Sequence, residues 1–357
     1  FGVREAGATR MNSDRVRTIA LELGFGSVGI GPSVPKRPDV HQAWIEAGCH
    51  GEMAWMESHR DVAGDPNLVL PGAVRAICIL DRYPGFDSED VPPRFGRIAR
   101  YARGKDYHVH TMKRLRKLGE RLSSAFPDGS FRACVDTVPL MERDLASGAG
   151  LGRIGKNTLL IEPRKGSWAF LGVLLTTIPF EMDTPLKEDP CGTCTRCIEA
   201  CPTGAIKPWK VDARRCISYL TLEHRSPIPP ELHEGMGNWL AGCDICQEVC
   251  PHNHPTPARV NSSHSEAFKP KRQGFDLLEV LGWSEDDRRA AFQGSALKRV
   301  KYDALQRNAL ILLTNQVCQG DSEAEPILTA QLEAIEQSTT ASEVLQETAR
   351  VCRMRLE

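Results

Sequence analysis

A chain of 357 residues, 41% hydrophobic and 25% charged, has the composition of an ordinary folded protein of two or three domains. Its formal net charge of −1 excludes a whole-molecule attraction to polyanions, so any case for nucleic acid is local. The longest apolar stretch, 169–180, is too short to cross a bilayer, and Arg4, Glu5, Arg10, Asp14, Arg15 and Arg17 break any leader-like run, so no membrane association is expected.

Asn12 or Ser13 is placed to cap a first helix through Glu22, with Gly24 as its stop. Residues 25–31 read as a strand and turn, 39–48 and 51–60 as short helices, and 74–80 as a buried strand. Asp106 opens a long helix to about Ala125, with Met112, Leu115, Leu118 and Leu122 along one face. Residues 131–136 form a strand ending on a carboxylate, and Pro139 suits the first turn of a helix to Ala146. A glycine-rich loop at 148–155 precedes strands at 158–161 and 168–178. Strands alternating with helices predict an α/β-type first domain over 12–185 in an α+β multidomain chain. The last region, 270–357, is helical; 302–315, 324–337 and 341–356 are amphipathic and resemble degenerate HEAT-type pairs.

Between these regions, at 186–260, lies the segment that carries the strongest chemistry. Cys191, Cys194, Cys197 and Cys201 follow the C-x₂-C-x₂-C-x₃-C-P spacing of bacterial ferredoxins. Cys243, Cys246 and Cys250, the last again before Pro, close the segment, with Cys216 between. In such runs three thiolates bind one iron–sulfur cube and the fourth reaches the other. That logic assigns Cys191, Cys194, Cys197 and Cys250 to one 4Fe–4S cluster and Cys201, Cys216, Cys243 and Cys246 to a second. Zinc sites rarely show this spacing, and disulfide frameworks belong to short secreted chains. Thiolate-bound clusters predict a reducing, cytoplasmic setting. The other five cysteines, Cys49, Cys78, Cys134, Cys318 and Cys352, read as free buried thiols.

Outside the clusters three features stand out. Asp136 ends an apolar strand; it is either a carboxyl at a pocket mouth, raised in pKa by burial, or a cap of the next helix. Gly150, Gly152 and Gly155 form G-x-G-x-x-G, but before a strand, so the helix N-terminus a dinucleotide needs is missing. The loop reads as one that lets a large ligand approach the backbone, or as a tight connector. Residues 94–121 hold ten Lys or Arg, and Lys298, Arg299, Lys301 and Arg307 form a second basic group. Two patches point to a polyanion such as nucleic acid; solvated helix faces are the plainer reading.

Five stretches carry a family resemblance: RYARGKDYH at 100–108, VDTVPLMERDLA at 135–146, AGLGRIGKN at 149–157, VDARRCISYLT at 211–221 and GCDICQEVCP at 242–251. Together they resemble the epoxyqueuosine reductases over about residues 12–315. The resemblance implies reduction of epoxyqueuosine to queuosine at the tRNA wobble position. Electrons would pass through two 4Fe–4S clusters to a base-off cobalamin, in keeping with the missing D-x-H-x-x-G. It implies Asp136 as proton donor, and Arg100, Tyr101, Gly152, Gly155, Lys156, Asn157, Tyr219 and Thr221 about the corrinoid. The first domain would bind cobalamin and the helical region would contact tRNA carrying epoxyqueuosine in its anticodon loop. An external electron donor and a monomeric state are also expected. The chain departs from the family at Arg153, where relatives usually carry Trp. Corrinoid reductive dehalogenases and ferredoxin-type carriers are the competing classes. The first lacks a use for the basic patches, and the second leaves the flanking regions idle.

Overall fold

The computed structural model describes residues 2–86, 92–254, 256 and 264–357; the boundary expected near 260 lies outside them. Its centre is a four-stranded sheet in the order β1 (Ser27–Pro32), β2 (Arg75–Arg82), β7 (Ala169–Thr176), β4 (Phe131–Cys134). Neighbouring strands run antiparallel throughout. The strands and helices alternate as expected of an α/β-type domain, but the helices between strands do not act as parallel crossovers.

Both faces of the sheet are covered, so β2 is apolar almost without interruption. Ile77 and Ile79 face α1 (Gly2–Glu22) and α5 (Tyr107–Ala125), packing with Val16, Ile19, Leu115, Leu118 and Leu122. Ala76, Cys78 and Leu80 alternate to the opposite face, against Leu145, Ala146 and Ala149 of α6 (Glu142–Gly148) and the loop after it. The helix expected over 51–60 is two short ones, α3 (Ala54–Ser58) and α4 (Arg60–Gly64), after α2 (Pro38–Glu46). α6 begins three residues beyond Pro139 because 136–141 are spent on a loop, pinned where the Asp136 N–H donates to the Glu142 carboxylate at 2.7 Å.

A second sheet ties distant parts of the chain. β3 (Phe95–Ile98) pairs in parallel with β10 (Trp239–Ala241) and antiparallel with β11 (Gly274–Asp276). Two small hairpins, β5 (Arg153–Ile154) with β6 (Leu160–Ile161) and β8 (Ile206–Lys207) with β9 (Lys210–Val211), complete the strands. In the cysteine-rich segment α7 (Arg196–Glu199) packs on α9 (Ile245–Glu248), while α8 (Ile217–Leu222) turns inward. The C-terminal helices are α10 (Leu277–Leu281), α11 (Glu285–Ala291), α12 (Tyr302–Cys318), α13 (Glu325–Gln337) and α14 (Glu343–Leu356). One apolar core joins α8 to them, running from Leu220 and Leu240 through Leu305 and Leu312 to Leu328 and Ala349. No helix among the described residues is long and apolar enough to cross a membrane.

Candidate active site

The eight motif thiols fall into two groups. Cys197 lies within electrostatic reach of Cys191, Cys194 and Cys250, and Cys250 within reach of Cys191 and Cys194. Cys243 is coupled to Cys216 and Cys246, Cys216 to Cys201, and Cys246 to Cys216 and Cys201. Cys246 also feels Cys197, so the two groups adjoin. All eight are free of disulfides. Among the described residues no three ligating side chains converge on a single ion; thiolates around a four-iron cube stand farther apart than ligands of one metal. Burial pushes the thiols of Cys216, Cys243, Cys246 and Cys250 upward. Their ionisation therefore needs a nearby positive charge, which iron supplies. The donor set fits two four-thiolate clusters.

The second constellation gathers around Asp136. Its side chain is 52% exposed, yet desolvation is the largest influence on it. His108 Nε2 lies 2.8 Å from Asp136 Oδ2, and His108 Nδ1 lies 2.7 Å from Asp106 Oδ1. Asp106 caps α5 by accepting the His108 N–H at 3.0 Å, which places the imidazole at the helix start. Lys298 Nζ stands 3.2 Å from the other Asp106 oxygen. Tyr107 gives Asp136 a second hydrogen bond, and the Arg299 guanidinium adds its charge. Asp136 adopts φ of 40°, a left-handed conformation that a non-glycine residue holds only under constraint.

Charge is distributed unevenly in this constellation. Burial pushes the Asp136 carboxyl up, but the His108 bond and charge, with Tyr107 and Arg299, bring it below the ordinary value. Burial lowers His108, and its bonds to Asp136 and Asp106 more than restore it, so the ring sits above 6.5. This corrects the expected raised carboxyl: the bond between them favours the carboxylate form of Asp136 and the protonated form of the His108 ring. Burial, followed by the charge of Asp136, pushes Glu142 up to about 8. Asp136 does not cap α6, since Met141 is the N-cap and makes no side-chain cap bond.

Comparison with known proteins follows this geometry closely. A family described as a 4Fe-4S double cluster binding domain matches residues 190–253, and one described as epoxyqueuosine reductase QueG, DUF1730, matches 64–137. The epoxyqueuosine reductase of Escherichia coli (strain K12) is 40% identical over 315 residues, covering 85% of this chain and 81% of that protein. The chain belongs to the epoxyqueuosine reductase family. A crystal structure of epoxyqueuosine reductase with an epoxyqueuosine-modified tRNA-Tyr stem loop superposes with a TM-score of 0.83 at 29% identity, covering 96% of this chain and 90% of that one. The epoxyqueuosine reductase of Bacillus subtilis, described with its catalytic aspartate loop swung out of the active site, superposes with a TM-score of 0.80 at 26% identity, with the same coverage.

The residues expected to cradle a corrinoid in this reductase are largely spent on the protein itself. Arg100 pairs with Asp244 and Glu248. Lys156 donates to the Gly192 and Cys194 carbonyls, and Asn157 to that of Cys246 at 3.4 Å. The Tyr219 hydroxyl accepts the Glu52 N–H at 2.7 Å, and Thr221 is buried, donating to the Ile217 carbonyl. Gly152 and Gly155 lie against Ile161, where a Cβ would collide, so packing within the protein already requires these glycines. Arg153 donates to the Leu186 carbonyl at 3.1 Å. Tyr101 is the exception: it stands edge-on to Tyr107, 6.2 Å between centroids.

The basic patches divide in the same way. Arg114 grips Asp81 and the Leu23 carbonyl. Arg307 is wholly buried, donating to the carbonyls of Leu220, His224 and Ser226. Neither presents charge to a polyanion. Lys105, Lys113, Arg116, Lys117, Lys298 and Lys301 remain exposed. Of the cysteines expected to be buried, Cys318 is exposed. His108 escaped the sequence reading because no ligand spacing flags it; its one signal was a capping carboxylate two residues before a histidine.

Proposed function

We propose that this chain reduces the epoxide of epoxyqueuosine at the tRNA wobble position to the alkene of queuosine, with electrons supplied singly through two 4Fe–4S clusters. The observation that carries the reading is the nearness of the second thiol group to the Asp136 constellation. Cys243 and Tyr101 both pack against the apolar cluster of Ala99, Ile217 and Trp239; Tyr101 meets Tyr107, and Tyr107 bonds Asp136. Converting an epoxide to an alkene consumes an electron pair and a pair of protons and releases water. Two groups beside Asp136 can carry the protons for this step: His108, which its bonds to Asp136 and Asp106 raise, and Glu142, which burial pushes up to about 8. Asp136 is the exposed member of the pair and would hand the opening oxygen the proton it takes from His108.

A corrinoid is the group that would join single electrons to this two-electron step, supplying a low-valent cobalt when bound. His108 itself would not be its ligand, because both ring nitrogens already face carboxylates. Tyr101, Tyr107 and Asp136 would line its substrate side. Asp136 sits on a constrained loop, which agrees with the swung-out aspartate loop of the Bacillus subtilis relative. The division into 12–185, 186–260 and 270–357 follows from these roles, with α12–α14 as a HEAT-like element. Exposed Lys105, Lys113, Arg116, Lys117, Lys298 and Lys301 supply charge for the tRNA. The external donor, a monomeric state and a cytoplasmic setting complete the reading. The test is nucleoside analysis of epoxyqueuosine-bearing tRNA after incubation with reduced protein carrying both clusters and cobalamin. Queuosine is the expected product; unchanged epoxyqueuosine would overturn the proposal.

A further inference from the structure

Lys156 ends the glycine-rich loop of the sheet region, but its side chain is committed to the cluster segment. It is 7% exposed. Its ammonium donates to the Gly192 carbonyl at 2.7 Å and the Cys194 carbonyl at 3.0 Å, and stands 5.7 Å from the centroid of the Trp209 ring. Its backbone N–H donates to Cys191 Sγ at 3.3 Å, and its carbonyl accepts the Trp209 N–H at 3.0 Å. The ammonium's partners among the described residues are therefore neutral. A buried cation answered only by neutral groups is costly unless negative charge lies beside it. The carbonyls it grips belong to the loop that carries Cys191 and Cys194, so that charge is the thiolate set of the first cluster. The second cluster's nearby cation differs: Arg100 is neutralised by Asp244 and Glu248.

We propose that Lys156 sets the reduction potential of the first cluster, as a fixed positive charge that favours the cube after it has gained one electron. The inference rests on the two-cluster reading above. An external one-electron donor supplies the electron; the cube gains one negative charge, and no proton or bond moves. The ammonium attracts the reduced cube more strongly than the oxidised one, so the equilibrium shifts toward reduction. Lys156 is thus a positioning residue for the known chemistry, acting through the cluster and not on substrate.

The test is a redox titration of both clusters by electron paramagnetic resonance, with iron quantified in the same samples. Lys156→Met is expected to weaken reduction of the first cluster about tenfold, which is about 59 mV for one electron. The second cluster should titrate as in the parent, and Lys156→Arg should return the first close to its parent value. Full iron with an unmoved potential in Lys156→Met overturns the role, as does an Arg variant that falls as far as Met. Should Lys156→Met fail to keep iron, Lys156→His poses the question within one protein. Its first-cluster potential must rise as pH falls through the imidazole's titration, and a pH-independent potential overturns the proposal. A parent protein with no four-iron signal would instead refute the two-cluster reading itself.

Discussion

Three of the thiols proposed for the first cluster lie within 191–197 and the fourth is Cys250, all in one segment between the flanking regions. The proton relay draws Asp106 and His108 from the start of α5, Asp136 from beyond the end of β4, and Lys298 from just before α12. The difference is one of contact range. Most of the thiols proposed as cluster ligands sit a few residues apart within two runs, so residue types at fixed spacing announce them even though the two runs are distant from each other. A relay assembled across three elements has no spacing to announce it, and each member alone resembles a helix cap or a surface charge. The same contrast separates the cations. Lys156 and Arg307 are buried structural charges, while Lys113 and Lys117, indistinguishable from them by composition, face solvent.

The largest expected effect breaks the cluster side of this comparison. Cys201→Ala removes a thiolate from the group that also holds Cys216, Cys243 and Cys246. Iron should fall from about eight to about four per chain, and turnover should vanish. Iron quantitation with paramagnetic resonance checks this; full iron and full activity would defeat the crossed assignment.

On the relay side, Asp136→Asn should leave the cluster signals intact and slow queuosine formation roughly a hundredfold or more. A variant running at the parent rate would pass the role of acid to Glu142. Asp144 is no substitute, because its carboxylate is occupied by the Lys36 and Arg37 amides. The pH profile sharpens the point. His108 titrates above 6.5, so parent turnover should fall as pH rises through that raised value. In His108→Gln the limb should move to lower pH, since a carboxyl alone must then hold the proton. The His108–Asp136 pair stabilises the fold between the two titrations. Its contribution is lost on the alkaline side as His108 deprotonates, and on the acid side as pH falls through the lowered Asp136 value.

The smallest effects divide the basic residues. Arg307→Met strands three backbone carbonyls in the core and should cost roughly 2–4 kcal/mol in denaturant unfolding. Replacing Lys113, Arg116 and Lys117 together by Gln should leave that transition unmoved. It should lower tRNA affinity several-fold and reduce the salt slope by about 0.7–0.9 per lost phosphate contact. Equal salt slopes for parent and variant would mark the α5 face as merely solvated.

From the sequence alone came the double-cluster segment, the helix that Asp106 opens, the strand before Asp136 and the family. Each rests on local pattern: thiol spacing, a cap, apolar periodicity, or contiguous motif. Tertiary structure decided the rest. The sheet is antiparallel because strand order and direction depend on partners far along the chain. The glycine-rich loop packs on Ile161 because that contact exists only after β5 and β6 pair. Asp136 is held below and not above the ordinary carboxyl value because His108, 28 residues away, meets it at hydrogen-bond distance. Burial, which would have raised it, is visible in apolar pattern; the partner that reverses the sign appears only when the fold brings two distant side chains face to face.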